Sequence, residues 1–360
     1  MNSTDVLSSA FSPEFDEYAS LSNSSLNPHR VIYSTFSPDY IKKITKTHYC
    51  IQEPESCVLY HRGTSDIYRI FAGAQSYALR LYRSNWRSRQ DILTELKAIK
   101  CIGDAGAVVA RPIPRPDGSE VTDVLAPEGI RSAVLFEWIH GSTPKYTNSD
   151  DMTRFGAALA TFHLAGDALA GDIPCPKLDM DYLFTHPLLQ LTKRVKNISS
   201  MAERITSLGC RIREHIQNVS PFLWDWGFCH GDVWVNNAHI DSARVVLFDF
   251  EFCGYGWRLA DLAGHRYDTV ERGVEDVAWR PFIEGYLATR PAAVKSLKEF
   301  GVFMILTCLW TTAYRIQQSE TAGSELAGDD FVEHMVSECE RIEVEVRQGR
   351  YSEEFALFGR

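Results

Sequence analysis

Three short runs of alternating residues between Val58 and Tyr82 set the first boundary on the fold. VLYHR is followed by the polar turn Gly63-Thr64-Ser65-Asp66, then IYRIF, the turn Gly73-Ala74-Gln75, and SYALRLYR. In the last run Tyr77, Leu79 and Leu81 share one face and Ala78, Arg80 and Tyr82 the other, which is the period of a strand. The segment reads as three antiparallel strands. A helix is expected next, over roughly 88–102, with Ile92, Leu96, Ile99 and Ile102 in a stripe at helical spacing. Glu95 falls inside that stripe. A buried carboxylate without a partner costs several kcal/mol to order of magnitude, so Glu95 calls for a basic neighbour.

Pro112, Pro114 and Pro116 then break the chain, and VLAPEGIRSAVLFEWI suggests a further hairpin. Beyond His140-Gly141 the pattern turns helical: Met152, Phe155, Leu159 and Phe162 share a face over 151–169, with acidic residues in the first turn. The fold class expected is α+β, a small antiparallel β lobe with one helix followed by a larger, mostly helical lobe. The divisions expected are an N-terminal extension over 1–29, a small lobe over 30–137 and a large lobe over 138–360. The extension carries eight serines, four acidic residues and no Lys or Arg, and is expected to be mobile or loosely docked.

Composition narrows the function. The chain has 360 residues and a net charge of −10, long enough for a sizeable core and too acidic for binding a phosphate backbone as its main task, so no nucleic-acid partner is expected. Nine cysteines, scattered and never spaced as C-x-x-C, favour a reducing compartment, hence a cytoplasmic location, with neither a disulfide framework nor a zinc ribbon. The N-terminus shows no secretory signal pattern, and the longest apolar stretch, 301–310, is about half the ~20 residues of a membrane span. It reads as a buried helix, and no membrane partner is expected.

The chemistry is concentrated in 229–263, CHGDVWVNNAHIDSARVVLFDFEFCGYGWRLADLA. Asp232 and Asn237 are five apart; after the turn at 241–244 the apolar run Val245 to Phe248 ends in Asp249. A strand buried on both faces can hold a carboxylate rigidly at the mouth of a cleft. The order resembles the protein-kinase pattern, in which a first Asp orients a hydroxyl while an Asn and a second Asp hold Mg²⁺. Oxygen ligands of this kind, with ATP phosphates, suit magnesium. A metallohydrolase reading through His239, His230, Asp232 and Asp249 lacks the further ligands at fixed spacing that it needs.

His230-Gly231-Asp232 with Asn237, then Asp249-Phe250-Glu251, then Tyr255-Gly256-Trp257-Arg258 and Asp261-Leu262-Ala263, resembles the aminoglycoside phosphotransferase/choline kinase superfamily, and in particular its bacterial branch near type II homoserine kinases. The resemblance implies a kinase fold and an ATP- and Mg²⁺-dependent transfer of a γ-phosphoryl group to the hydroxyl of a small molecule, such as an amino alcohol, a hydroxyamino acid or an aminoglycoside. It implies Asp232 as the catalytic residue, Asn237 and Asp249 as metal ligands, His230 as a brace behind the loop and Glu251 beside the metal ligands. Asp261 would cap the next helix and hold the loop backbone. Arg80 would bind phosphate with Glu95 as its helix partner. Gly63, Thr64 and Ser65 would cover the phosphates, and the carbonyl of Glu137 and amide of Ile139 would read the adenine. Trp234 stands where many members have a second His, and Asn236 where many have Gly, which loosens the link to any particular substrate. The alternatives are a protein Ser/Thr kinase of the stress-response branch and a nucleotide-binding protein without transfer activity. A monomer and a homodimer are both compatible with the sequence. His163 and the tryptophans at 224, 226, 279 and 310 read first as packing residues, and the acidic residues at 268, 271, 275 and 276 as a solvated face.

Overall fold

A computed structural model describes residues 31–169, 173–218, 225–242, 244–322 and 328–353. The extension expected over 1–29, and Trp224, lie outside these. The first elements are helix α1 (Pro38–His48), strands β1 (Ser56–Arg62), β2 (Ser65–Ala72) and β3 (Gln75–Tyr82), and helix α2 (Arg89–Asp104). Strands β4 (Thr122–Ala126) and β5 (Gly129–Glu137) complete an antiparallel sheet of order β1-β2-β3-β5-β4. The three strands and the later hairpin expected from alternation are all present. Ser88 starts α2 as its cap, with reciprocal bonds between the Ser88 side chain and the Asp91 amide and between the Asp91 carboxylate and the Ser88 amide.

The two faces of the sheet go to different cores. Ile41 and Ile44 of α1 pack with Tyr68, Ile70, Leu79 and Leu81 in a small cluster. The stripe of α2 instead joins the core that runs through the helical lobe, with Ile92, Leu96 and Ile99 packed alongside Val134 and Phe162. This helix therefore couples the lobes: its apolar face is buried by both.

The large lobe begins with α3 (Ser149–Gly166), capped by Asn148, and strand β6 (Lys177–Leu178). A π-helical turn at Asp181–Thr185 leads into α4 (His186–Val195), followed by α5 (Ser199–Asn218). Strands β7 (Trp226–Cys229), β8 (Ala238–Asp241), β9 (Arg244–Leu247) and β10 (Gly254–Trp257) follow, then α6 (Arg258–Glu271), α7 (Glu275–Thr289), α8 (Phe300–Ala322) and α9 (Asp329–Arg347). β8 and β9 form a two-stranded sheet, and β7 pairs with β10 in a three-stranded one. Helices α3 and α7 cross so closely that a Cβ on Gly156 would lie 1.9 Å from the Phe282 carbonyl oxygen. The apolar run 301–310 lies in α8, buried as expected, and no helix of the described residues is long and apolar enough to cross a membrane.

β9 is tied through its backbone to the small lobe, and its partner β8 to the segment that follows β5. Ala110 donates to the Leu247 carbonyl at 2.9 Å, Leu247 donates to that of Val108 at 3.0 Å, and Ser142 and Ile240 exchange bonds of 3.1 and 2.8 Å. The strand that presents Asp249 is thereby fixed to residues 108–110 directly and to Ser142 through β8.

Candidate active site

β7 delivers the chain to His230-Gly231-Asp232, and a buried carboxylate holds that corner. Asp261, in the first turn of α6, accepts from the His230 amide at 2.7 Å and the Gly231 amide at 2.8 Å. Its Oδ2 also meets His163 Nε2 at 2.9 Å, and His163 Nδ1 reaches the Tyr286 hydroxyl at 2.7 Å. Burial alone would raise the Asp261 pKa; the bond from His163 and the loop amides bring it below the ordinary carboxylate range. Asp261 holds the loop but does not cap its helix, whose N-cap is Trp257, because its oxygens point back at the loop amides. His163, read from sequence as packing, is the third member of this clamp.

Gly231 takes φ +81°, and a Cβ there would lie 2.1 Å from the Phe252 carbonyl oxygen, so the corner admits glycine alone without a backbone shift. His230 joins the loop to the end of β9. Its Nε2 lies 3.1 Å from the Phe248 carbonyl, while its Nδ1 accepts from the Asp232 amide at 3.3 Å. That pattern needs one protonated nitrogen, and burial lowers the pKa of the ring accordingly.

Asp232, Asn237 and Asp249 converge as the motif spacing implied. Asn237 Nδ2 donates to the Asp232 carbonyl at 2.9 Å and to its Oδ2 at 2.7 Å. The Phe248 amide donates to the Asn237 carbonyl at 3.0 Å, which sets Asp249 next to the pair. Asp249 adopts φ +66°, a left-handed conformation that Asp tolerates better than most residues. The Asp232 carboxyl, set into the cleft wall with part of its surface open, is pushed up to about 8, by desolvation first and by the charge of Asp249 second.

The small lobe contributes Arg80, only 6% exposed. Its Nη1 lies 2.9 Å from Asp249 Oδ1 and its Nη2 pairs with Glu251. The expected pairing with Glu95 is replaced: Glu95 accepts from the Tyr82 hydroxyl at 3.0 Å and faces Arg87 at 3.8 Å. Two carboxylates below the sheet claim the guanidinium of Arg80, so Arg87 supplies the basic neighbour that Glu95 requires. Glu251, 1% exposed, also accepts from Thr64 Oγ1 at 3.1 Å and from Trp86 Nε1, and its backbone carbonyl accepts from Arg87. Burial raises the Glu251 pKa. Of the short loop, Gly63 and Thr64 form the turn, whereas Ser65 is buried and opens β2.

Glu137 ends β5, and the Trp138 amide just after it donates to the Ser76 carbonyl at 3.2 Å. The Ile139 carbonyl meets His239 Nδ1 at 3.0 Å, and no group of three or more His, Cys, Asp or Glu that could hold a metal gathers among the described residues. A cleft of about 340 Å³ opens here between Tyr60, Arg69, Trp138, Ile139 and His239.

A model of the phosphotransferase enzyme family matches residues 57–295, two thirds of the chain, and spans every residue of this site. The chain belongs to the phosphotransferase enzyme family. Two curated relatives are similar along most of their length. An uncharacterized protein of Deinococcus radiodurans is 28% identical over 307 residues, covering 84% of this chain and 89% of the relative. An uncharacterized protein of Synechocystis sp. is 26% identical over 307 residues, covering 83% and 84%. Among solved structures, a microcompartment-associated aminopropanol kinase superposes with TM-score 0.67 at 19% identity, covering 87% of this chain and 98% of that one. An amicoumacin kinase in complex with AMP-PNP and Ca²⁺ gives 0.65 at 17%, covering 86% and 94%. A choline kinase from Cryptosporidium parvum gives 0.62 at 14%, covering 89% and 99%. These likenesses establish the two-lobed kinase-like fold, and the protein is a kinase-type phosphotransferase.

In this phosphotransferase a second cavity, of about 270 Å³, opens beside Glu251, with Trp86, Tyr182, Phe252, Trp310 and Tyr314 in its wall. Trp310 lines it while its other side, half-buried, packs against the main core, so both of its readings hold. Trp279 does pack in the core, and Trp226 stacks edge-on against Trp257 at 5.0 Å. Asp268 is buried against Tyr146 and Arg272, contrary to its reading as part of a solvated face, whereas Glu271 is exposed, as that reading has it, and pairs with Arg315 at 2.8 Å at the surface.

Proposed function

We propose that this phosphotransferase moves the γ-phosphoryl group of ATP, with Mg²⁺, to a hydroxyl group of a small molecule in the cytoplasm. The observation that carries this reading is the convergence of Asp232, Asn237, Asp249 and Arg80 on one cleft between the lobes. The donor set fits a hard cation. Asn237 spends its amide nitrogen on Asp232, which leaves Oδ1 for a metal, and the Asp249 side chain is 39% exposed. No group of three or more His, Cys, Asp or Glu side chains gathers to hold a metal among the described residues, so phosphate and water oxygens would complete the shell. Bound there, Mg²⁺ would neutralise charge on the phosphate oxygens.

The chain's own residues do the rest. Asp232 orients the acceptor hydroxyl and takes its proton, a role suited to a carboxyl whose pKa stands near 8. Arg80 places positive charge beside Asp249, and its buried Nε has no hydrogen-bond partner among the described residues, a donor that a phosphate oxygen satisfies. Glu95 and Glu251 hold the basic residues of the small lobe in place. Gly63 and Thr64 close over the cleft, and the backbone of Glu137 and Ile139 reads the base. Solved structures of this fold include an aminopropanol kinase and an amicoumacin kinase in complex with AMP-PNP and Ca²⁺, which supports the same assignment. A cavity of limited volume beside Glu251 favours a small acceptor over a protein substrate.

The test is ADP release from Mg-ATP by the purified chain across a panel of hydroxyl compounds, with a general protein substrate alongside. Stimulation by a small compound, abolished in Asp249→Ala and severely cut in Asp232→Asn with nucleotide binding retained, is the expected result. Near-normal turnover in Asp249→Ala would defeat the metal assignment.

A further inference from the structure

Hydrogen bonds already commit part of the backbone at the end of β5 and just after it. The Glu137 amide donates to the Arg111 carbonyl at 3.2 Å, and the Trp138 amide to the Ser76 carbonyl at 3.2 Å. The Ile139 carbonyl is engaged by His239 Nδ1 at 3.0 Å. A carbonyl only accepts, so Nδ1 carries the proton of this bond. Trp138, Ile139 and His239 stand together in the wall of the cleft of about 340 Å³, which places the capped carbonyl at that cleft.

The cap is built into the fold. His239 lies on β8 one residue before Ile240, which exchanges backbone bonds of 3.1 and 2.8 Å with Ser142. Gly141 takes φ +117°, and a Cβ there would lie 2.2 Å from the Ile240 carbonyl oxygen, so the two segments run too close for a side chain between them. The His239 ring also meets Phe248 edge-on, with centroids 5.0 Å apart. Arg69, in the same wall, lies over the Trp138 and Phe71 rings at 4.3 and 4.5 Å. Rings and a guanidinium of this kind stack on any base, so the choice between purines falls to the backbone.

The backbone discriminates because the two purines present different edges. Adenine offers an amino donor beside the N1 acceptor, which match the Glu137 carbonyl and the Ile139 amide. Guanine in the same pose sets its O6 against the Glu137 carbonyl and its N1–H against the Ile139 amide, acceptor on acceptor and donor on donor. Shifted by one place, O6 accepts from the Ile139 amide, and N1–H then needs the Ile139 carbonyl. His239 holds one of the lone-pair sites of that oxygen and its ring stands in the wall, so guanine finds only a shared, weakened acceptor.

We infer that His239 selects adenine over guanine nucleotides by withholding the Ile139 carbonyl. The inference rests on the phosphotransfer reading for the presence of a nucleotide in this cleft, and on the bond between His239 and Ile139 for its selectivity.

Calorimetric titration of the full-length protein, in Mg²⁺, with AMP-PNP and with GMP-PNP tests it without any acceptor. Wild type is expected to bind AMP-PNP about 10-fold more tightly or better. His239→Phe and His239→Leu both remove the donor, one keeping a ring against Phe248 and the other opening the cleft. In each variant that is folded by circular dichroism the ratio should narrow about 5-fold, through tighter binding of GMP-PNP. His239→Asn, whose Nδ2 can stand in for the imidazole Nδ1, should hold the ratio within about 2-fold of wild type. A merely structural role would weaken both nucleotides alike and leave the ratio unmoved. Equal binding of the two nucleotides by wild type, or an unchanged ratio in the folded donor-free variants, overturns the inference and leaves the phosphotransfer reading standing. Binding of neither nucleotide by wild type is a different failure, which removes the phosphotransfer reading and the inference with it.

Discussion

Asp261→Asn separates a residue that positions the catalytic loop from one that reacts. The carboxylate accepts from the His230 and Gly231 amides and meets His163 Nε2, with Oδ2 shared between His230 and His163. An asparagine has one acceptor oxygen. Its least costly orientation keeps that oxygen on Gly231 and turns the amide nitrogen toward His163, which can answer by changing tautomer. The His230 amide is then a buried donor with no acceptor, costing about 1–3 kcal/mol, and loss of charge from the remaining bond to the Gly231 amide adds about 1 kcal/mol. Urea unfolding should show a loss of about 2–4 kcal/mol. Because the strain falls on the residue preceding Gly231-Asp232, kcat for ADP release should drop about 10- to 100-fold while the KM for ATP stays within about 2-fold. The sign of the pH dependence gives a second reading. The Asp261 pKa is depressed in the folded state, so its contribution is present above the unfolded value and is lost as pH falls through the folded one. The stability gap between wild type and variant should therefore shrink below about pH 4. A variant whose unfolding midpoint and kcat both match wild type would refute the clamp.

Three further outcomes follow from the geometry. Gly231→Ala combines a left-handed backbone with a 2.1 Å approach to the Phe252 carbonyl, and should cost about 2–5 kcal/mol in chemical denaturation and remove turnover. Arg80→Lys replaces a fork that serves Asp249 and Glu251 through separate nitrogens by a single ammonium; KM for ATP should rise about 10-fold in steady-state assays, with the fold intact by circular dichroism. His265 is fully buried among Phe155, Phe282 and Trp279, and burial, aided by Arg266, lowers its pKa to about 3. Its folded pKa lies below the unfolded ~6.5, so wild type loses about 1.4 kcal/mol per pH unit as pH falls below that value. Thermal melts of His265→Leu should accordingly show a weaker loss of Tm between pH 6.5 and 5 than wild type.

The small-lobe sheet and α2 were legible because their signals are local. A period of two survives in three consecutive runs, and Ser88 with Asp91 marks a helix start within four residues. The loop and metal-ligand candidates were legible for a related reason: Asp232, Asn237 and Asp249 lie within 18 positions and are brought together by short turns and one hairpin. The need of Glu95 for a basic neighbour was also correctly read. Its identity was not, since Arg80 and Arg87 lie close in sequence and the choice turns on carboxylates more than 150 positions away in the other lobe. Trp86 and Arg87 stand between β3 and α2 in a stretch without period, so nothing local marked them. The cavity side of Trp310 was hidden by its surroundings: an apolar helix reads as core throughout, and only the fold shows which part of it also meets a cavity.

Glu251 concentrates the contacts between the small lobe and the catalytic segment on one residue. Thr64 from the covering turn, Arg80 from β3 and Trp86 from the linker all end on its side chain, and Arg87 ends on its carbonyl. Bonds spread along a seam can be unzipped one after another; bonds gathered on a pivot must yield together. Separating the small lobe from Glu251 therefore breaks these four bonds together at one point.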